Sequence, residues 1–172
     1  MLHTFLNRPW HAIGQHVPGF ATRRINETAT RARAGLLNLR SATTIVVLIF
    51  APHLDPVIYV GPYVIFDMFS AALLGLTPLT PTGVVGTALT MSSRPVWKPI
   101  PPKRFAWLLV GLLGVTCLSL RLQHVSNAWI IAVLGTCFLL TWLEAVLGFC
   151  VGCWLYGKLF TCEECEVPYV RA

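Results

Sequence analysis

FAWLLVGLLGVTCLSLRLQHVSNAWIIAVLGTCFLLTWLEAVLGF, residues Phe105–Phe149, decides the fold. It holds two apolar runs, Phe105–Leu122 and Ala128–Phe149, separated only by Gln123-His124-Val125-Ser126-Asn127. Each run approaches the ~20 apolar residues that a helix needs to cross the ~30 Å hydrocarbon core of a bilayer. So short a linker predicts an antiparallel helical hairpin.

Upstream, Leu36–Leu54 and Val57–Leu76 repeat the pattern on either side of the turn Pro52-His53-Leu54-Asp55-Pro56. The 172 residues are 55% hydrophobic and 12% charged, where a soluble domain has about a quarter charged. A soluble globular fold is excluded. The net charge of +6 does not point to nucleic acid, because the basic residues alternate with the apolar runs and form no single patch.

The expected class is therefore all-α: a polytopic membrane protein with a four-helix transmembrane bundle, preceded by an amphipathic interfacial helix. Phe20, Ile25, Ala29, Ala32, Leu36 and Leu39 fall at helical spacing with Arg23, Arg24, Arg31 and Arg33 between them, which predicts a helix lying on an anionic surface. Glu27 stands four residues before Arg31, a favourable helical pair. Three parts are expected: a leader with this helix (1–40), the membrane domain (41–156) and a cysteine-rich tail (157–172). The start of the chain lacks the pattern of a cleavable signal peptide, so the first span is expected to serve as the insertion signal. His3, His11 and His16 have no ligand spacing and are expected to be ordinary surface histidines. The proline-rich segment 77–102 contains Val84–Met91, expected either to lie on the bilayer or to dip into it.

Orientation follows from Lys and Arg counts. Arg8, Arg23, Arg24, Arg31, Arg33 and Arg40 precede the spans, Arg94, Lys98, Lys103 and Arg104 fill the second loop, and Lys158 and Arg171 lie in the tail, against Arg121 alone on the other side. Both termini are expected to be cytoplasmic, in a bacterial inner membrane.

Chemistry concentrates where the last span ends. Cys150, Cys153, Cys162 and Cys165 form Cys-x2-Cys-x8-Cys-x2-Cys. Four thiolates can close a tetrahedral Zn site, and either pair can instead carry dithiol exchange, one thiolate attacking and its neighbour resolving. Glu163, Glu164 and Glu166 disfavour thiolates at Cys162 and Cys165. Cys150 and Cys153, with Lys158 nearby, are the better nucleophile candidates, and the tail pair would relay or resolve. If the fourth helix runs on to Tyr156, Cys150 and Cys153 share a face and Gly157 breaks the helix. Cys117 and Cys137 sit inside apolar runs and are expected only to pack.

Ionisable residues within spans are costly and usually find partners. Arg104 and Glu144 lie twenty residues either side of the turn at His124, which predicts a structural ion pair at one end of the hairpin. Asp67, deep in the second run, has Arg40 as its one candidate partner. Gly148-x-x-x-Gly152 permits a close helix approach, within the chain or in a homo-oligomer. No phosphate loop, dinucleotide fingerprint, Gly-x-Ser-x-Gly or His-Glu-x-x-His is present.

PPKRFAW (Pro101–Trp107), LEAVLGFCVGCWLY (Leu143–Tyr156), IGQHVPGFATRRINE (Ile13–Glu27) and Phe66-Asp67 together resemble a bacterial membrane family, domain of unknown function 4395. The resemblance implies a four-helix inner-membrane protein whose last helix exits through Gly148-Phe149-Cys150-Val151-Gly152-Cys153-Trp154-Leu155-Tyr156. It also implies further cysteine near acid, as at Cys162, Cys165 and Glu166. Ala71 and Ala72 stand where the family often has a basic residue, a departure that weakens an ion pair for Asp67. Relatives look like companions of thioredoxin-like and rhodanese-like proteins. The function expected is thiol redox or sulfur relay with such a soluble partner; a Zn tetrathiolate subunit without turnover, or a carrier of small sulfur species, are the alternatives.

Overall fold

The computed structural model describes residues 23–76 and 79–160. A short strand β1 (Arg24–Asn26) leads into α1 (Glu27–Phe50), followed by a 3-10 turn, α2 (Pro56–Leu74), α3 (Pro81–Leu89), strand β2 (Trp97–Pro99), α4 (Ile100–Leu122), α5 (Asn127–Trp142) and α6 (Val151–Leu159). β1 and β2 pair antiparallel, Ile25 opposite Lys98. This small ribbon closes one end of an otherwise helical bundle.

Four helices are long and apolar enough to cross a membrane: α1, α2, α4, and α5 with the turn that continues it to Leu147. Their outward residues include Leu39, Ile49, Phe50, Leu73, Leu112, Leu139 and Val146, all exposed, as a surface turned to hydrocarbon requires. α2 packs on α4, α4 on α5, and α5 on α1, while α3 packs chiefly on α1 and also touches α2. Two small cores result. One, at the ribbon end, joins Ile25, Ala71, Ala72, Ile100 and Trp107. The other, at the far end, joins Leu48, Val57, Cys117 and Ile130.

The first helix differs from expectation. Residues 27–39 do not form a separate interfacial helix; they are the opening turns of α1, which runs unbroken through residue 40. Asn26 caps it, its Oδ1 accepting from the Thr28 N–H at 3.0 Å. Arg33, expected on a wet face, is buried and bonds Asp67 Oδ2 at 2.8 Å. The cause is helical phase: Thr30, Ala34, Leu37, Thr44 and Leu48 are buried on α1, and Arg33 belongs to that stripe. Arg40, the partner expected for Asp67, stacks instead on Tyr63 at 4.0 Å.

Asp67 also fixes α3. Its second oxygen accepts the Thr82 N–H at 3.0 Å, and the Thr82 hydroxyl meets Tyr63 Oη at 3.1 Å. Asp67 is seven residues from the end of α2, or ~10 Å along the helix. The half-helix α3 thus starts inside the bundle and rises back to the ribbon end, where Thr28 Oγ1 donates to the Arg94 carbonyl. Gly86 allows this seat. A Cβ there would lie 2.9 Å from the Arg33 nitrogen and 3.0 Å from the Ala29 oxygen. At the far end, Arg121 Nε bonds Asp55 at 2.8 Å.

Breaking one partner of a buried ion pair costs ~3–5 kcal/mol, whereas replacing both by apolar groups often costs little. Asp67→Ala should therefore lower stability by about that amount, and Arg33→Leu with Asp67→Leu should lose less than Asp67→Ala alone. Thermal unfolding in detergent measures both; a double variant worse than the single contradicts the pairing.

Candidate thiol site

The turn that ends the last span builds the site. After α5 the chain takes a wide π-helical turn, Leu143–Leu147. The Ala145 and Val146 carbonyls in it accept from the Arg31 guanidinium at 3.1 and 3.0 Å. Gly148 then turns left-handed at φ 68°, a conformation glycine adopts without penalty. Phe149 N–H closes the end on the Leu143 carbonyl at 3.1 Å. The helix breaks here, not at Gly157, which lies within α6.

Cys150 is extended and caps α6, whose first turn closes with the Trp154 N–H on the Cys150 carbonyl at 3.0 Å. Gly152 seats α6 on α4, since a Cβ on it would fall 2.5 Å from Ala106 Cβ. The close approach expected of the glycine pair is therefore made inside one chain. Phe105, Tyr156 and Phe160 pack as an aromatic cluster beside it, with centroids 4.8 to 6.2 Å apart.

Both thiols are free, Cys150 buried and Cys153 half-buried. The Cys150 thiol is held below its ordinary value chiefly by a hydrogen bond from the Cys153 thiol; burial and Glu144 oppose this, while Lys103 and the Cys153 N–H assist it. Cys153 is correspondingly pushed well above the usual thiol range by that bond and by burial. One sulfur is set up as thiolate and the other as donor. The start of a helix favours the same assignment.

Behind the thiols lies a chain of charges. Lys103, with its side chain 1% exposed, bonds Glu27 at 2.8 Å and also Glu144, and Lys98 reaches Glu27 at 2.9 Å. Glu144 therefore pairs with Lys103 and not with Arg104, whose Nε donates to the Ala72 carbonyl at 2.6 Å. One residue is a 100° rotation on a helix. Lys103 shares the buried face of Ala106, Trp107 and Gly111, and Arg104 turns away from it. Glu27 likewise pairs with the two lysines, not Arg31.

Other expected residues fall elsewhere. Lys158 is exposed, and the buried cation near the thiols is Lys103, which sequence reasoning missed although helical phase marks it. Asp67 belongs to the Arg33 contact. Cys117 and Cys137 line an internal cavity of about 50 Å³ together with Arg40, Thr44 and Thr141. Cys162 and Cys165 lie outside the described residues. No group of three or more His, Cys, Asp or Glu suited to a metal occurs among the described residues, so a tetrathiolate Zn site would depend on the tail pair.

Since the Cys153 thiol lowers the proton affinity of Cys150, Cys153→Ala should move half-maximal alkylation of Cys150 to higher pH. Cys150→Ala should bring the alkylation of Cys153 to lower pH, because its hydrogen-bond acceptor is gone. Mass-spectrometric alkylation profiles across pH read both, and an unmoved Cys150 profile contradicts the assignment.

No curated protein and no solved structure matches the chain. A family described as domain of unknown function (DUF4395) matches residues 25–160, a range holding β2, all six helices and both thiols of the site. The chain belongs to that family.

Proposed function

We propose that the protein exchanges electrons or sulfane sulfur with a soluble thiol protein at the cytoplasmic face of a bacterial inner membrane, with Cys150 as nucleophile and Cys153 as resolving thiol. The observation that carries this is the placement of Cys150 and Cys153 at the start of α6, which Gly152 seats against Ala106 of α4, the helix on which Lys103 is buried. The excess of Lys and Arg at the ribbon end supports a cytoplasmic placement. Both termini then lie in the cytoplasm, where thiols stay reduced.

The step balances simply. The Cys150 thiolate attacks one sulfur of a partner disulfide, forming a mixed disulfide and releasing the partner's other sulfur as thiolate. Cys153, once its proton has passed to solvent or to that leaving thiolate, attacks Cys150; the Cys150–Cys153 disulfide forms and the partner leaves as dithiol, two electrons richer. The reverse sequence oxidises the partner. With a persulfide, attack on the outer sulfur leaves Cys150 carrying it and the partner as thiolate. Lys103 cannot donate freely to sulfur because Glu27 and Glu144 hold its ammonium. It acts by charge.

In membranes mixed with soluble extract, Cys153→Ser should accumulate a reducible adduct at Cys150 with a thioredoxin-like or rhodanese-like protein. Cys150→Ser should leave much less. Adducts equally abundant in both variants would overturn the roles. The spacing of Cys150, Cys153, Cys162 and Cys165 favours one second reading, a Zn tetrathiolate. Stoichiometric zinc with all four thiols unreactive until chelation would establish it against exchange. For orientation, an impermeant thiol reagent supplied from the periplasmic side should fail to label a chain whose one remaining cysteine is Cys162; rapid labelling there would place the thiols on the other side.

A further inference from the structure

On the outer face of the bundle, where α6 leans on α4, a groove of about 530 Å³ opens beside the thiol site but does not include it. Arg23 and Arg104 stand among its lining residues, with Phe105, Leu108, Tyr156 and Phe160. No carboxylate lines it among the described residues. Ile100 and Leu108, both in its wall, are eight residues apart on α4, so the groove descends ~12 Å from the ribbon end toward the apolar middle. Its charge and its apolar surface are thus arranged in depth as the headgroup and acyl chain of a phospholipid are.

Arg104 is positioned for this. Its Nε is held by the Ala72 carbonyl at 2.6 Å, and its terminal amino groups make no hydrogen bond to another described residue. A guanidinium fixed at one nitrogen presents the remaining donors as a fork that matches a phosphate. Arg23 is exposed and adds a second cation. Aromatic side chains at this level suit the polar–apolar boundary of a bilayer.

We propose that this groove binds an acidic phospholipid, its phosphate between Arg23 and Arg104 and an acyl chain along Phe105 and Leu108. Such a lipid would touch Tyr156 and Phe160, and so brace the helix that carries Cys153. The site stands whether or not the thiols exchange, because none of its lining residues takes part in that chemistry.

Native mass spectrometry of the full chain in detergent, with phosphatidylglycerol or phosphatidylcholine added at equal concentration, tests it. Phosphatidylglycerol should be retained on the order of tenfold more than phosphatidylcholine, and Arg23→Gln with Arg104→Gln should abolish the preference. Arg23→Gln alone, at an exposed position, should keep the fold and weaken the preference severalfold. Added inorganic phosphate should leave retention unchanged, since it lacks the chain. Equal retention of the two lipids overturns the proposal, as does a preference that survives the double substitution. A preference that appears only in Glu163→Gln, Glu164→Gln, Glu166→Gln would also overturn it, by making the acidic tail the occupant.

Discussion

Arg33 and Asp67 meet where the bundle excludes water, and most of the architecture follows from making that tolerable. Each charge buried alone would cost several kcal/mol. The carboxylate is met by the guanidinium on one oxygen and the Thr82 N–H on the other, and Trp107 covers the guanidinium at 5.0 Å. These contacts come from α1, α2, α3 and α4. They require α1 to enter the bundle from its first turn, α3 to begin at depth, and Gly86 to let the two helices touch.

A second buried cluster, Glu27, Lys98, Lys103 and Glu144, ties the ribbon to α1, α4 and the turn after α5. Two cations face two carboxylates, so the group is neutral before any thiol ionises. The Cys150 thiolate would add one negative charge, met by the Cys153 thiol, the α6 amides and the field of Lys103. Since Lys103 is fully engaged by carboxylates, the thiol pair is tuned by its neighbours and not by a dedicated ion pair.

Much of this was legible in the residues. The four spans, the hairpin at His124 and the family resemblance all follow from apolar run length and from motifs such as LEAVLGFCVGCWLY. The departures have a common cause: in this bundle charge is no sign of exposure. Arg33, Glu27 and Lys103 are buried because of the helical face they occupy, and small residues on those faces, Thr30, Ala34, Ala106 and Gly111, were the available signal. Counting from the turn places Glu144 at the depth of both Lys103 and Arg104, and only the rotation around α4 decides that Lys103 faces it. The break at Gly148 is hidden in the sequence because the Arg31 contacts to Ala145 and Val146 that favour it span more than a hundred residues.

The half-helix α3 bears on how the chain is made. Its nine residues rise ~13 Å, less than half a bilayer's hydrocarbon core, so it cannot leave a translocation channel as a span of its own. Its first amides lack helical partners, and an unsatisfied amide in hydrocarbon is prohibitively costly. Asp67 supplies the acceptor for Thr82. That acceptor belongs to α2, so the start of α3 is satisfied only where it lies against α2. Without α3 the Asp67 carboxylate would keep Arg33 but lose its second donor, so this short helix completes the pairing of a charge it does not itself carry.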